Sequence, residues 1–347
     1  MPATSIDTFF ACSLIVAVVV ASMAATAKIL TPYMNSLQDL NEEEYLRKIV
    51  EYIIVNSGSP ANWGENQTVT PEAFGLAKNG SLTPYELDVD KVCRLNSQNA
   101  YTLTYIDIIE ALNLKKVALR ISVSQLMDVS IALISNVTVG DSTRYSFWVY
   151  VSRDETPIAV ALHCYVVAKN FLNDTYSSTS SSGEGFVDVE IPNSSNGTAL
   201  LVVFARAPYD ARITAYGVYA FGHLSSEPSP NNTFLELSPL NYTLHINPKY
   251  SNVSLETGYA LSYSYESNLT PTSNVTYAIP EILDSSPIVQ VVTGLNTSIF
   301  FIEWIAYPQI PLEIGANFEN AECFSFSYIV TINRAFYKLN VQCGGPS

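Results

Sequence analysis

Residues Phe9–Ala27 form an unbroken run of nineteen residues without a single charge. As a helix rising about 1.5 Å per residue it would span about 28 Å, close to the ~30 Å of a bilayer's hydrocarbon core. A segment of this kind can be a signal peptide that is discarded, a membrane anchor, or a working part of the mature protein, and the three fates imply different functions. Ala25-Thr26-Ala27 would serve as a small-residue cleavage site, but no Lys or Arg precedes Lys28, whereas secretory signals open on a basic region. The segment is therefore expected to be retained, with a membrane phase at some stage. It also lacks the basic N-terminal flank that orients a simple anchor.

Thr4-Ser5-Ile6-Asp7 fits a capping box, in which Asp7 reaches back to the freed amides and complements the positive end of a helix. The alternative role for Asp7 is to neutralise the terminal amine of a neighbouring copy in an assembled bundle. Past Lys28, Leu46, Ile49, Val50 and Ile53 recur at helical spacing and Glu44 precedes Lys48 by four residues, so an amphipathic helix extends the apolar one. Pro32 is expected to kink or interrupt it, and Gly58 to stop it. An apolar rod joined to an amphipathic rod suggests that the first packs with other copies and the second on its own head. The residues expected to carry polymerisation are Ile6, Asp7, Phe9, Phe10, Leu14, Ile15, Val18, Val19, Met23 and Ile29.

The rest of the chain has the composition of an exterior protein. Carboxylates outnumber basic groups 32 to 17 for a net charge of −15, which repels phosphate backbones and makes nucleic acid a poor partner. Asn-x-Ser/Thr occurs twelve times, at Asn66, Asn79, Asn136, Asn173, Asn193, Asn196, Asn231, Asn241, Asn252, Asn268, Asn274 and Asn296. Random placement of 26 Asn and 63 Ser plus Thr would give about five such sites, so the excess favours an extracellular chain carrying N-linked glycans. The competing reading is that Asn and Thr simply serve strands and turns. Outside the apolar run, which holds Cys12, lie Cys93, Cys164, Cys323 and Cys343, an even number that suggests two disulfides. Cys323 and Cys343 are equidistant from Asn333 in a stretch that reads as two strands folded back on each other. A bridge there would contribute about 3 kcal/mol, and Cys93 with Cys164 is then the remaining pair.

After the helical segment come NWG at Asn62–Gly64, FGLA at Phe74–Ala77, LDVDKVCRL at Leu87–Leu95 and EALNL at Glu110–Leu114. Taken as physics, this is a Gly/Pro-rich loop around one buried Trp63, a short helix near Asp107–Asn113, and then a strand. In this order, behind an apolar N-terminal helix, the motifs resemble the archaeal type IV pilin-like surface proteins, closely over residues 1 to 125 and loosely beyond. The resemblance implies a helix inserted in the membrane, processed near its N-terminus, and then drawn into a filament whose core is a bundle of such helices. The chain shows no short leader ending in a basic and a small residue, so either the numbering starts after its removal or processing is unusual. Asp7 also lies two places beyond the acidic residue at the fifth mature position of the family's bacterial relatives, so that role is not transferred.

From Lys116 onward, short apolar or alternating stretches such as RYSFWVYVS, GFVDVEIP, ALLVVFARA and IVQVVTG are punctuated by turn residues, the pattern of β-sandwiches. The expected fold is α+β: a long N-terminal helix kinked near Pro32, then a mainly β head of two Ig-like sandwiches. The expected domains are 1–56 for polymerisation, 57–226 for the family-like segment and first sandwich, and 232–347 for a second β domain, with SSEPSPNN as the linker. Tyr259, Leu261, Tyr263 and Tyr265 alternate with small residues, either as a core face or as a contact stripe, the core face being the ordinary outcome.

His163, His223 and His245 stand without companion metal ligands at diagnostic spacing. Asp88 and Asp90 read as residues that turn the chain, and Glu303 beside Trp304 lacks the second carboxylate of a glycosidase. No catalytic residue, cofactor or metal is expected. The sequence thus points to a non-enzymatic subunit of an extracellular archaeal type IV pilus-like filament. It would associate with identical copies through apolar helices after leaving the membrane, and present a glycosylated head for attachment. The alternative is a monomeric, single-pass, membrane-anchored glycoprotein that binds glycans or partner cells.

Overall fold

The computed structural model describes the chain apart from residues 1–2, 115, 226, 274, 320–322 and 346–347; in the first helix the side chains of 3–10, 12, 25, 27 and 29–41 also lie outside the description. Contacts divide the chain into two units, Met1–Glu51 and Tyr52–Ser347.

The first element is helix α1, Ala3–Val55. It runs through Pro32 without a break: a mid-helix proline costs about 3 kcal/mol, and the hydrogen-bonded turns on both sides propagate past it. Glu43–Arg47 and Glu44–Lys48 pair at 2.6 and 2.7 Å along its surface. Within the second unit its last turn is fixed by Ile53 and Ile54, both fully buried. The amides of Leu76 and Ala77 donate to the carbonyls of Ile53 and Asn56. Gly58, at φ 75°, reverses the chain where a Cβ would meet the Ala73 carbonyl at 2.5 Å.

The class is mainly β, which corrects the α+β expectation: strands take up 50 % of the chain, and the remaining helical elements are short. These are α2, Val89–Cys93, and α3, Tyr105–Ala111, with one 3-10 turn at Asn193–Ser195. Most of the strands stack as four antiparallel layers. Layer one holds Asp128–Val139, Ser142–Arg153 and Glu184–Pro192. Layer two holds Ala161–Ala168, Phe171–Ser178, Gly197–Arg206 and Thr214–His223. Layer three holds Val253–Leu261, Glu266–Asn268, Ile288–Asn296 and Ile299–Tyr307. Layer four holds Leu235–Leu240, Thr243–Pro248, Thr270–Ser273 and Thr276–Ala278.

Three cores lie between these layers. Phe147, Val149 and Ile191 of layer one meet Leu162, Leu201 and Val203 of layer two. The opposite face of layer two, with Tyr165, Leu200, Val202 and Phe204, meets Leu261, Val289 and Val291 of layer three. The far face of layer three, with Ile288, Val292, Phe301 and Tyr307, meets Leu235, Leu244 and Ile246 of layer four. Layers two and three are therefore covered on both faces, so their central strands, Ala161–Ala168, Gly197–Arg206 and Ile288–Asn296, are nearly continuous apolar runs. Layer one has one wet face and alternates, as in GFVDVEIP.

This stacking changes the expected domain plan. Residues 57–226 and 232–347 share the core between layers two and three and belong to one unit. A fifth sheet ties them further: Ala118–Gln125 from the first half pairs with Ala335–Gly344 and Leu312–Gly315 from the second. Phe324–Ile332 and Glu86–Leu87 complete that sheet. The strands before and after the expected linker, Thr214–His223 and Leu235–Leu240, thus belong to one body rather than two.

Candidate functional site

Among the described residues between Leu14 and Met23, helix α1 presents seven large apolar side chains to solvent: Leu14, Ile15, Val16, Val18, Val19, Val20 and Met23, at 48 to 70 % exposure. Single exposed apolar residues are ordinary, whereas a contiguous set of this size marks a contact surface. Ile6, Asp7, Phe9, Phe10 and Ile29, also expected in polymerisation, have side chains outside the described residues. Among the described residues no helix is long and apolar enough to cross a membrane.

The family-like segment folds as a clamp on backbone carbonyls. Trp63 is fully buried, and its indole N–H donates to the Gly75 carbonyl at 3.2 Å. Arg94, also buried, donates through its guanidinium to the carbonyls of Trp63, Asn66, Val69 and Tyr101 at 2.7 to 2.9 Å. Lys91 donates to those of Ser57 and Ala77, and both cations lie 5.5 to 5.9 Å from the Trp63 ring. These charges satisfy loop carbonyls that would otherwise be buried without donors. Asp88 caps α2 by accepting from the amides of Asp90 and Lys91, as its reading as a turning residue requires. Thr104 and Asp107 form a capping box for α3. Asp90 is buried and accepts from the Asn241 amide and the Tyr307 hydroxyl at 2.7 and 2.8 Å. Burial raises its pKa to about 6 against the pull of those two bonds.

All four cysteines outside the apolar run are free thiols, which corrects both expected bridges. Cys93 and Cys164 belong to different cores. The final hairpin turns on two residues, Asn333 and Arg334, both at positive φ, so Cys343 faces Phe324 and Cys323 falls one residue out of register. The sequence count centred on Asn333 missed this one-residue offset. Burial pushes the Cys343 thiol up to about 12, with the nearby Cys323 adding to the shift.

Of the twelve acceptor asparagines, Asn274 lies outside the described residues and nine of the others are exposed. Asn193 and Asn296 are half-buried. The Asn193 side chain accepts from the Thr143 hydroxyl at 2.8 Å and donates to the Gly140 carbonyl at 3.2 Å. Asn231 pairs its amide with both backbone groups of Trp304, at 2.9 and 3.0 Å. Asn193 and Asn231 thus act in turns and edges as well as carrying the acceptor motif.

The histidines are held in place. His163 faces the Tyr263 carbonyl and Asp174, His223 the Tyr145 hydroxyl and the Pro192 carbonyl, and His245 contacts Gln67. Among the described residues no group of three His, Cys, Asp or Glu is arranged to hold a metal. Tyr259 and Leu261 face the core, Tyr263 lies under the Arg206 guanidinium at 3.8 Å, and Tyr265 is exposed. Glu303 is buried, and its two oxygens accept from the amides of Phe234 and Leu235 at 2.6 and 2.8 Å. It anchors the start of layer four, and burial raises its pKa.

Sequence reasoning missed a polar cleft of about 150 Å³ at one edge of layers two and three, lined by Asn96, Gln98, Tyr216, Asn231, Trp304 and Gln309. Its residues come from four separate stretches of the chain, and only Asn231, as an acceptor site, and Trp304, beside Glu303, had drawn notice.

No family model and no curated protein matches the chain. Among solved structures, HBP35 of Porphyromonas gingivalis is similar over 52 % of this chain and 64 % of that one, at 12 % identity and a TM-score of 0.20. The match thus spans less than two thirds of that chain, and at this score the likeness carries no argument.

Proposed function

We propose that this protein is a structural subunit of an extracellular filament of the archaeal type IV pilin-like kind, assembled by apolar contact between copies along residues 14–23. The β head faces outward for surface attachment and carries N-linked glycans, and layers one and two are read as an Ig-like sandwich. The observation that carries the proposal is the exposed apolar set from Leu14 to Met23. Each such side chain contributes about 1.5–3 kcal/mol when moved from water to full burial, and less when it leaves lipid, where close packing drives association. Ala17, Ala21 and Ala24 among them permit close approach of neighbouring helices. The motif order from Asn62 to Leu114 supports the family reading.

The test is electron microscopy of sheared surface material from cells making wild-type chain or Val18→Asp. Regular filaments in the first and none in the second support assembly. Filaments of normal length with Val18→Asp overturn it. Material released from the wild type only by detergent, as isolated copies, supports the membrane-anchored alternative.

A further inference from the structure

The cleft beside Trp304 has the chemistry of a ligand site. Its volume of about 150 Å³ is roughly ten times the 10–15 Å³ that one ordered water requires, which makes it large for a structural water and suited to one small ring. A smaller hollow of about 30 Å³ adjoins it and shares Gln98, Asn231 and Trp304.

Gln309 supplies the independent sign of a missing partner. It is 4 % exposed, its Oε1 accepts from Asn99 at 3.1 Å, and its amide nitrogen has no hydrogen-bond partner. A buried donor left without an acceptor costs about 1–3 kcal/mol, and Gln309 belongs to the lining of the cleft, so a ligand oxygen brought to this amide would recover that cost. Asn96 is fully committed, donating to the carbonyls of Gln309 and Pro311 and accepting from the Gln98 amide. It holds the wall rather than reading a ligand. Tyr216 donates its hydroxyl to the Ile310 carbonyl at 3.0 Å and keeps lone pairs free. Gln98 is exposed at the rim. Among the described residues no carboxylate or cation lines the cleft, Glu303 lining only the smaller hollow, and Trp304 in the lining is half-buried.

We infer that this cleft binds a neutral pyranose sugar. Uncharged amides suit hydroxyl groups, which both donate and accept, and an indole suits the apolar C–H face of a sugar ring. The assignment is independent of filament assembly. The sugar could be external or could be the first residue of the chain's own glycan, because the acceptor motif Asn231-Asn232-Thr233 sits on the cleft's rim.

The experiment uses the full chain, produced without N-glycosylation and held in a detergent with no sugar headgroup. It is titrated with glucose, galactose, mannose and N-acetylglucosamine while tryptophan fluorescence and saturation-transfer NMR are read. At least one sugar is expected to bind saturably, and Gln98→Ala and Gln309→Met each weaken it about five- to tenfold. Gln98→Ala removes an exposed side chain and keeps the test decisive if Gln309→Met fails to fold. Absence of saturable binding by all four sugars, or binding that Gln98→Ala leaves unchanged, overturns the assignment. Glycosylated wild type and Thr233→Val then distinguish the source: equal binding means an external sugar, and binding confined to Thr233→Val means that the tethered glycan fills the cleft.

Discussion

Val16–Val20 in helix α1 and Ala199–Ala205 in layer two are nearly indistinguishable as compositions, VAVVV against ALLVVFA. In the folded chain, Val16 and Val18–Val20 are 48 to 61 % exposed, whereas Ala199–Ala205 are fully buried. The layer-two strand meets layer one on one face and layer three on the other, so the chain itself supplies everything its apolar side chains need. The described side chains from Leu14 to Met23 are instead left exposed. Equal hydrophobicity therefore contributes to stability in one region and, in the proposed filament, to association in the other, and the same substitution should separate the two.

The largest effect is expected from Val202→Asp, which places a carboxylate in the sealed core between layers two and three. An unpaired buried charge costs more than about 4–5 kcal/mol, enough to unfold the head, as far-UV circular dichroism would report. Val18→Asp should leave that spectrum and the melting temperature unchanged while abolishing filaments. A comparable loss of head structure in both variants would erase the distinction. Next in size, Phe204→Ala should cost about 3–5 kcal/mol and shift a single denaturant transition of the whole head, because layers two and three share that core. Two transitions, only one of them displaced, would restore separate domains on either side of residues 225–232.

Much of the head was legible from pattern. Alternation in GFVDVEIP gave a strand with one wet face, and the buried Trp63, the Asp88 turn and the Asn333 reversal followed from residue type. The unbroken runs ALLVVFA and IVQVV also read as strands, but their meaning for architecture was lost. A run without alternation is a strand covered on both faces, and two such strands from different halves of the chain imply a shared core rather than two sandwiches. The fifth sheet was illegible for a related reason: Ala118–Gln125 and Ala335–Gly344 pair across more than two hundred residues, and no local signal records that partnership. The cleft was hidden in the same way. Its amides are unremarkable one by one and acquire a role only through the fold that gathers them.

A smaller effect distinguishes buried from exposed polar chemistry. Asp90 is raised to about 6 from 3.8, so between those values the folded state holds more protons than the unfolded one. Stability then falls as pH rises through that window, by about 2–3 kcal/mol in total. Asp90→Asn should flatten the dependence measured from denaturation midpoints between pH 4 and 7. A slope unchanged in the variant would mean that another group is responsible.

The smallest predicted effects concern the acceptor asparagines, where the comparison between regions becomes one between two uses of the same residue. Asn79 is exposed, so Asn79→Gln in unglycosylated protein should change stability by no more than about 0.5 kcal/mol. Asn193 joins the Thr143 hydroxyl, itself almost fully buried, to the carbonyl of Gly140, so Asn193→Ala should cost about 1–2 kcal/mol even with no glycan present. Equal costs would mean that the bonds at Asn193 add nothing beyond solvation. Unequal costs would show that part of the twelvefold motif owes its place to turns, which lowers the number of sites that must be explained by glycosylation.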